Sequence, residues 1–324
     1  MFFRGFSYYL NWLLQSNGYR TYFSIVGRGF TRINIKQEYV TNLLSLVPPH
    51  DEQIQIANFL DKKTAQIDKL ILIKEKLIKR LKEQRQIIIN NAVTKGLNPN
   101  VKMKDSGIEW IGEIPEHWEV RKFRFYFDMT KGLNITKADL KNYGIPCINY
   151  GEIHSKYPFE VIPEINNLKC VNETYLQTSS QSLLNKGDFV FADTSEDIEG
   201  SGNFTYLNSD TNIFAGYHTI IARLKSKLSY RFFAYYFDSL AYRKYIRKNV
   251  KGVKVYSITN AILKESKLLI PPQEEQIQIA EHLDKKTEKI DKAIKLQEEQ
   301  IEKLKEYKTT LIDSVVTGKV KIIK

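Results

Sequence analysis

The sequence predicts an α+β protein: a mixed α/β globule joined to two long helices that pack as an antiparallel coiled coil. Three observations carry this. One block of sequence occurs twice, 223 residues apart, each copy holds a heptad-spaced apolar seam, and the residues between the copies alternate short β-rich runs with glycine- and asparagine-rich loops.

The block PPHDEQIQIANFLDKKTAQIDK (Pro48–Lys69) returns as PPQEEQIQIAEHLDKKTEKIDK (Pro271–Lys292). The match runs without a gap from Pro48–Thr94 onto Pro271–Thr317, with about half of the positions identical. Each copy predicts a helix. The Pro-Pro pair bars helix upstream, because proline lacks an N–H and restrains its neighbour. Asp51-Glu52 and Glu274-Glu275 then fall in the first turn, where the helix dipole favours negative charge. Downstream the seam is Ala57, Leu60, Thr64, Ile67, Ile71, Lys74, Ile78, Leu81, Arg85, Ile88, Ala92. In the second copy it is Ala280, Leu283, Thr287, Ile290, Ile294, Gln297, Ile301, Leu304, Lys308, Leu311, Val315. A 3,4 spacing kept over this length marks a coiled coil, and polar intrusions at matching positions (Lys74 with Gln297, Arg85 with Lys308) fix register. A helix of some 40 residues is roughly 60 Å long.

Between the copies, the turn-rich DSGIEWIGEIPEHWEV (Asp105–Val120) precedes three strand-like runs, Gly144–Tyr150, Gly187–Asp193 and Gly216–Leu224. Ser229–Val250 reads as one aromatic helix. At the same offset Tyr19-Arg20 falls on Tyr242-Arg243, Gly29 on Gly252 and Ile35 on Ile258, so the first residues read as the tail of a second such globule. The organisation predicted is 1–47 the globule remnant, 48–97 the first repeat helix, 98–104 a linker, 105–270 a complete globule, 271–319 the second repeat helix and 320–324 a tail.

Lysine and arginine number 49 against 37 acids, a net charge of +12, which favours a polyanionic partner. The two cysteines, Cys147 and Cys170, form no CxxC pair, so neither a disulfide framework nor a zinc site is expected and a reducing cytoplasm fits. No apolar run approaches the length of a membrane span, and the N-terminal MFFRGFSYYLNWLLQ, broken by Arg4 and Asn11, reads as folded protein and not as a signal peptide.

Three motifs carry a family resemblance. They are GIEWIGEIPEHWEV at the globule's start, LLIPPQEEQIQIAEHLDKKTEKID at the globule–helix join, and LIDSVVTGKV (Leu311–Val320) at the helix end, echoed by IINNAVTKGL (Ile88–Leu97). Taken with the repeat, they resemble the DNA-specificity subunit of type I restriction-modification systems over essentially the whole chain. The resemblance implies that each globule is a target-recognition domain reading half of a bipartite DNA sequence. It implies that the two helices set the spacer and dock modification (methyltransferase) subunits, with restriction subunits as further partners. No cofactor is expected in this chain; S-adenosylmethionine, ATP and Mg are expected on the partner subunits, and the specificity subunit is not catalytic. The departure is that most of a first recognition domain has no counterpart here. The expectation divides three ways: an inert truncated product, a donor cassette for recombination, or a working half-subunit that forms a homodimer.

Three stretches supply candidate DNA contacts. Arg223–Lys254 holds ten basic residues against Asp238, including Arg243, Arg247 and Lys251 spaced four apart, which on a helix share a face. The loop KGVKVYS adds Lys254, Tyr256 and Ser257 beside Gly252, and RGFTRIN (Arg28–Asn34) is its counterpart. DTSEDIEGSGN (Asp193–Asn203) offers Thr194, Ser195 and Asn203, although its acids repel phosphate. TKGLNITKADLKN (Thr130–Asn142) offers Lys131, Asn134 and Lys137. The plainer reading of each is a solvated loop or basic face. His218 reads as a strand residue, and neither a Gly-Lys-Ser/Thr phosphate loop nor an Asn-Pro-Pro-aromatic methyltransferase motif occurs. Two other classes compete: a coiled-coil structural or adaptor protein, and a stand-alone nuclease.

Overall fold

The computed structural model describes residues 2–29, 34–252 and 254–322. In chain order the helices are α1 (Phe2–Gln15), α2 (Asn17–Val26), α3 (Gln37–Thr41), α4 (His50–Lys95), α5 (Tyr150–Ser155), α6 (Tyr175–Thr178), α7 (Tyr230–Asp238), α8 (Leu240–Asn249), α9 (Asn260–Glu265) and α10 (Gln273–Val316). Two compact units divide the chain, Met1–Lys82 with Ile290–Lys324, and Glu83–Lys289.

The first unit is helical. Lys74 Nζ donates to Gln297 Oε1 at 3.0 Å and also to Gln300 Oε1, while Lys308 Nζ pairs with Asp68 at 2.7 Å. Lower numbers in α4 therefore meet higher numbers in α10, and the pair is antiparallel. Every seam position of both copies is buried or half-buried, as the heptad spacing predicts. Against the helix pair packs α1, whose Tyr9, Trp12 and Leu13 share a core with Ile56, Ala57, Leu60, Ile312, Val315 and Val316. The Trp12 indole donates to Asp61 at 2.9 Å.

The second unit repeats that arrangement 223 residues on. Phe232, Tyr235 and Tyr236 of α7 share a core with Ile279 and Leu283 of α10 and with Ile89, Ala92 and Val93 of α4. Tyr235 donates to Asp284 at 2.6 Å, in the place of the Trp12–Asp61 bond. Buried Gln53 and Gln276 donate in the same way to the carbonyls of Pro48 and Pro271. The bounds of α2 and α8 coincide at the repeat offset, and the bridge Arg28–Asn34 matches the bridge Lys251–Ser257. Of the loop RGFTRIN, positions 30–33 lie outside the described residues.

The strands of the second unit are β1 (Met103–Asp105), β2 (Glu113–Pro115), β3 (Glu119–Lys122), β4 (Phe127–Lys131), β5 (Ile145–Ile148), β6 (Phe159–Val161), β7 (Lys169–Val171), β8 (Leu183–Leu184), β9 (Phe189–Ala192), β10 (Thr194–Ser195), β11 (Phe204–Leu207), β12 (Ile213–Ala215), β13 (Thr219–Leu224), β14 (Tyr256–Ser257) and β15 (Lys267–Ile270). They build a five-stranded sheet in the order β4-β13-β9-β11-β6, a four-stranded sheet in the order β7-β5-β12-β8, and the pairs β1-β2, β3-β15 and β10-β14. One face of the larger sheet packs Phe127, Phe189, Phe191, Phe204 and Tyr206 on Phe233 and Phe237 of α7. The other face places Val190, Ala192, Leu207 and Ile221 against Ile148, Leu184 and Ile213 of the smaller sheet. Burial on both faces explains why β9 reads FVFA with no polar alternation.

Two elements differ from the sequence reading. The stretch predicted as one aromatic helix is two, because Ser239 adopts an extended conformation, accepts from Tyr242 N–H at 3.3 Å and donates to the Tyr236 carbonyl at 2.6 Å. A buried serine that satisfies both helix ends is a better N-cap than a helix residue. The run predicted from Gly216 begins only at Thr219. His218, at φ 56°, lies in the turn before it.

The cap gives a stability prediction. Ser239→Ala lowers the unfolding free energy by about 1 kcal/mol, read as a lower urea midpoint at unchanged slope.

Candidate nucleic-acid interface

One end of the five-stranded sheet gathers most of the candidate residues, and strand register is what gathers them. Lys131 closes β4 opposite Ile220, Thr219 opens β13 opposite Ala192, and Phe204 opens β11 opposite Phe191. The loops 132–136, 193–203 and 216–218 therefore leave the same end. Gly132 is required there, since a Cβ would meet the Gly216 carbonyl and the Thr219 hydroxyl, each at 2.1 Å.

The third stretch joins by a strand pair. Thr194 and Ser195 of β10 pair with Ser257 and Tyr256 of β14, and the Asp193 carbonyl accepts from Ile258 N–H at 2.8 Å. Residues 60 apart in the sequence thus become neighbours. Gly252 serves the loop's own closure, because a Cβ on it would lie 1.9 Å from the Val255 carbonyl.

The basic helix is not the phosphate-facing ridge its spacing suggests. Arg243 donates to Asn203 Oδ1 at 2.8 Å and pairs with Asp238 at 3.2 Å, both side chains 15% exposed. Asp238 also accepts from Arg85 at 3.2 Å. Arg247 donates to the Glu199 carbonyl at 2.8 Å, and its Nε is buried without an acceptor. Burial, reinforced by Arg243, lowers the Arg247 pKa. Lys251 lies beyond the end of α8, so it shares no helical face with the two arginines.

The Asn203 amide faces His154 Nδ1 at 2.9 Å, and His154 Nε2 faces the Thr194 carbonyl at 2.8 Å. Nδ1 accepts from the amide and Nε2–H donates to the carbonyl, which assigns the tautomer. Arg243, Asn203, His154 and Thr194 are therefore one chain of hydrogen bonds that orders the loop 193–203. Beside it lies a cleft of about 540 Å³ lined by Tyr150, His154, Glu196, Asp197 and Glu199, among others. Tyr150 meets His154, Tyr217 and His218 edge-on, with ring centroids 6.2, 5.6 and 5.3 Å apart.

The exposed lysines complete the surface. Among the described residues Lys131, Lys137, Lys251 and Lys254 make no side-chain hydrogen bond or ion pair and lie exposed. Leu133 and Ile135 bury beside Cys147 and Phe214, leaving Asn134 and Lys137 exposed between them and a Thr136–Asp139 capping box. The sequence reading missed Tyr150, His154 and Tyr217. The local signal for the first two is the Asn149–Glu152 capping box in NYGE, which starts α5 and sets Tyr150 and His154 four apart. Among the described residues no group of His, Cys, Asp and Glu side chains is placed to hold a metal ion, and no helix is long and apolar enough to cross a membrane.

The sequence pattern of the Type I restriction modification DNA specificity domain matches residues 115–306, more than half the chain. The chain belongs to that family. The matched stretch of this specificity domain takes in the five-stranded sheet, the loops at its end and most of α10. The MjaVIII specificity subunit of Methanocaldococcus jannaschii is 26% identical over 293 residues, covering 89% of this chain and 65% of that protein. The EcoKI specificity subunit of Escherichia coli K12 is 25% identical, covering 86% of this chain and 58% of that one. The chain thus spans about two thirds of the length of the curated relatives it matches. The same fold occurs in a chain of a type I R-M system complex, with a TM-score of 0.68, 16% identity, and 97% of this chain covering 69% of that one. It occurs also in the HsdS subunit of Thermoanaerobacter tengcongensis, with a TM-score of 0.51, 16% identity and 97% against 70% coverage.

The two kinds of basic residue separate by experiment. Arg243→Ala breaks the partly buried pair with Asp238 and frees Asn203, and costs about 2 kcal/mol of stability. Lys254→Ala stays within about 0.5 kcal/mol of the parent in the same urea titration.

Proposed function

We propose that this chain supplies the DNA address of a type I restriction-modification complex. The globule 105–270 reads one half-site of double-stranded DNA, and the helices dock methyltransferase subunits that bring S-adenosylmethionine, with ATP and Mg on restriction subunits. In this reading the chain itself catalyses nothing. The observation that carries it is the sheet end where three loops from distant parts of the sequence meet. Free lysines at 131, 251 and 254 flank a loop held rigid from behind by Arg243, Asn203 and His154. Phosphate contacts from mobile lysines give affinity and position, while a fixed loop is what base reading needs.

The division of labour inside the surface follows from charge. Glu196, Asp197 and Glu199 repel phosphate, so loop 193–203 faces base edges, where a carboxylate can accept from cytosine N4. The lysines face the backbone on either side. Family membership and the name "specificity subunit" of the M. jannaschii and E. coli relatives support the same reading. For the partner subunits, α4 carries exposed Leu70, Leu72, Ile73 and Leu77, apolar side chains of the kind that protein interfaces cover.

The decisive test is co-expression with the cognate modification subunit and mapping of methylated adenine across the genome. A single new motif is expected; no new methylation with a demonstrably active partner overturns the reading. A palindromic motif would assign two copies of this chain to the complex.

Two further outcomes are expected. Lys131→Ala and Lys254→Ala each weaken binding to all sequences alike and lower the slope of log K against log salt by about 1. Replacing Ile73 and Leu77 by aspartate abolishes co-purification with the modification subunit and leaves DNA affinity unchanged.

A further inference from the structure

Among the described residues two other than glycine hold φ in the left-handed region, Phe159 at 77° and His218 at 56°. That conformation costs free energy in any residue with a Cβ, and the surroundings must offset it. For Phe159 they do. Its ring packs against Phe204, Tyr206 and Tyr235, with centroids 6.1, 6.1 and 4.9 Å away, and the Arg231 guanidinium lies 5.0 Å over it. His218 gains no such packing. Its side chain is 57% exposed, and Tyr150 and Tyr217 meet it only edge-on.

The turn 216–218 is pinned on several sides. Gly216 N–H donates to the Ile148 carbonyl at 2.8 Å, and the Gly216 carbonyl accepts from the Thr219 hydroxyl at 2.6 Å. The His218 carbonyl accepts from Asp193 N–H at 3.0 Å. Glycine is the residue that fills such a position with least strain. A histidine there costs the fold something that no described contact of its side chain returns.

Its place is the middle of the sheet end. β13 lies between β4 and β9, so the turn that opens it sits between loop 132–136 and loop 193–203. Gly132 N–H donates to the Thr219 carbonyl at 3.2 Å on one side, and Asp193 holds the other. The ring is also oriented. His218 Nδ1 lies 3.3 Å from Asp193 Oδ1, which accepts from the Thr194 hydroxyl at 2.6 Å. A carboxylate only accepts, so the ring proton is on Nδ1, and Nε2 is left as an acceptor. Among the described residues no donor reaches that Nε2.

We propose that His218 is a specificity-determining residue for the DNA half-site. Its Nε2 accepts from the exocyclic amino group of adenine or cytosine at one position in the major groove, and an acceptor there rejects the keto oxygen of guanine or thymine. The assignment rests on the proposed reading of DNA by the globule.

The experiment uses the full chain in complex with the cognate modification subunit. Methylation rates are measured on duplexes carrying the complex's motif and each single base-pair substitution of it. In the parent, one position should require an amino base on one strand, with a keto base there slowing methylation at least about tenfold. His218→Gly should shrink that penalty to within about threefold and leave the penalties at the other positions unchanged. Its urea midpoint should not fall below the parent's, because glycine accepts the turn without strain. The assignment is overturned if His218→Gly keeps every penalty, if it relaxes all positions alike, or if relaxation comes with a lowered midpoint, which would make the role structural. A parent complex that methylates no motif overturns the DNA-reading role and this assignment with it. A parent with a motif beside an unchanged variant overturns the assignment alone.

Discussion

The hydrogen bonds from Lys74 to Gln297 and Gln300 fix the register of the helix pair on which the described structure is built. An ammonium in a half-buried seam is costly unless an acceptor faces it, and a shift of α4 along α10 by one heptad would set it against aliphatic side chains. Lys308 with Asp68 pins the same register a second time. The aliphatic seam positions, such as Leu60, Ile67, Leu304 and Leu311, are too alike to choose among registers by packing alone. Polar residues supply the choice at some expense of stability.

Once the register is set, each unit closes in the same way. An aromatic helix lies across the start of one long helix and the end of the other, and an aromatic hydrogen-bond donor reaches an aspartate on the long helix. Trp12 with Asp61 and Tyr235 with Asp284 are different side chains doing the same work. That tolerance is physically reasonable, because what is conserved between the copies is a flat apolar body and a polar edge, which tryptophan and tyrosine share. Where the two units differ is in what lies beyond that platform. In the second unit β15 pairs with β3, and Trp118 just ahead of β3 donates to Glu275. In the first, Leu44–Val47 pairs with no strand among the described residues.

The chain's positive charge is unevenly available. Arg223, Arg231 and Arg243 are tied to Asp188, to Glu160 with Asp284, and to Asp238, and so serve the fold. Among the described residues the lysines at the sheet end make no side-chain hydrogen bond or ion pair and lie exposed. The guanidinium groups fill the inward positions because their planar forks satisfy several acceptors at once, whereas a hydrated ammonium loses more on burial. Counting basic residues along Arg223–Lys254 therefore overstates the unengaged charge of α8 and understates its part in shaping the loop 193–203.

The sequence by itself determined the repeat, both long helices, their seam and polar intrusions, the three main strand runs and the α+β class. These are legible because periodicity and capping act within a few residues. Tertiary structure alone decided that Ser239 divides the aromatic helix, that His218 lies in a turn, and that Tyr150, His154 and Tyr217 join the surface. It also decided which candidate residues are engaged and which are free. Arg243 meets Asn203 across 40 positions and Thr194 meets Ser257 across more than 60. The partners that settle a side chain's role are supplied by strand register at the sheet end, and no local pattern encodes them.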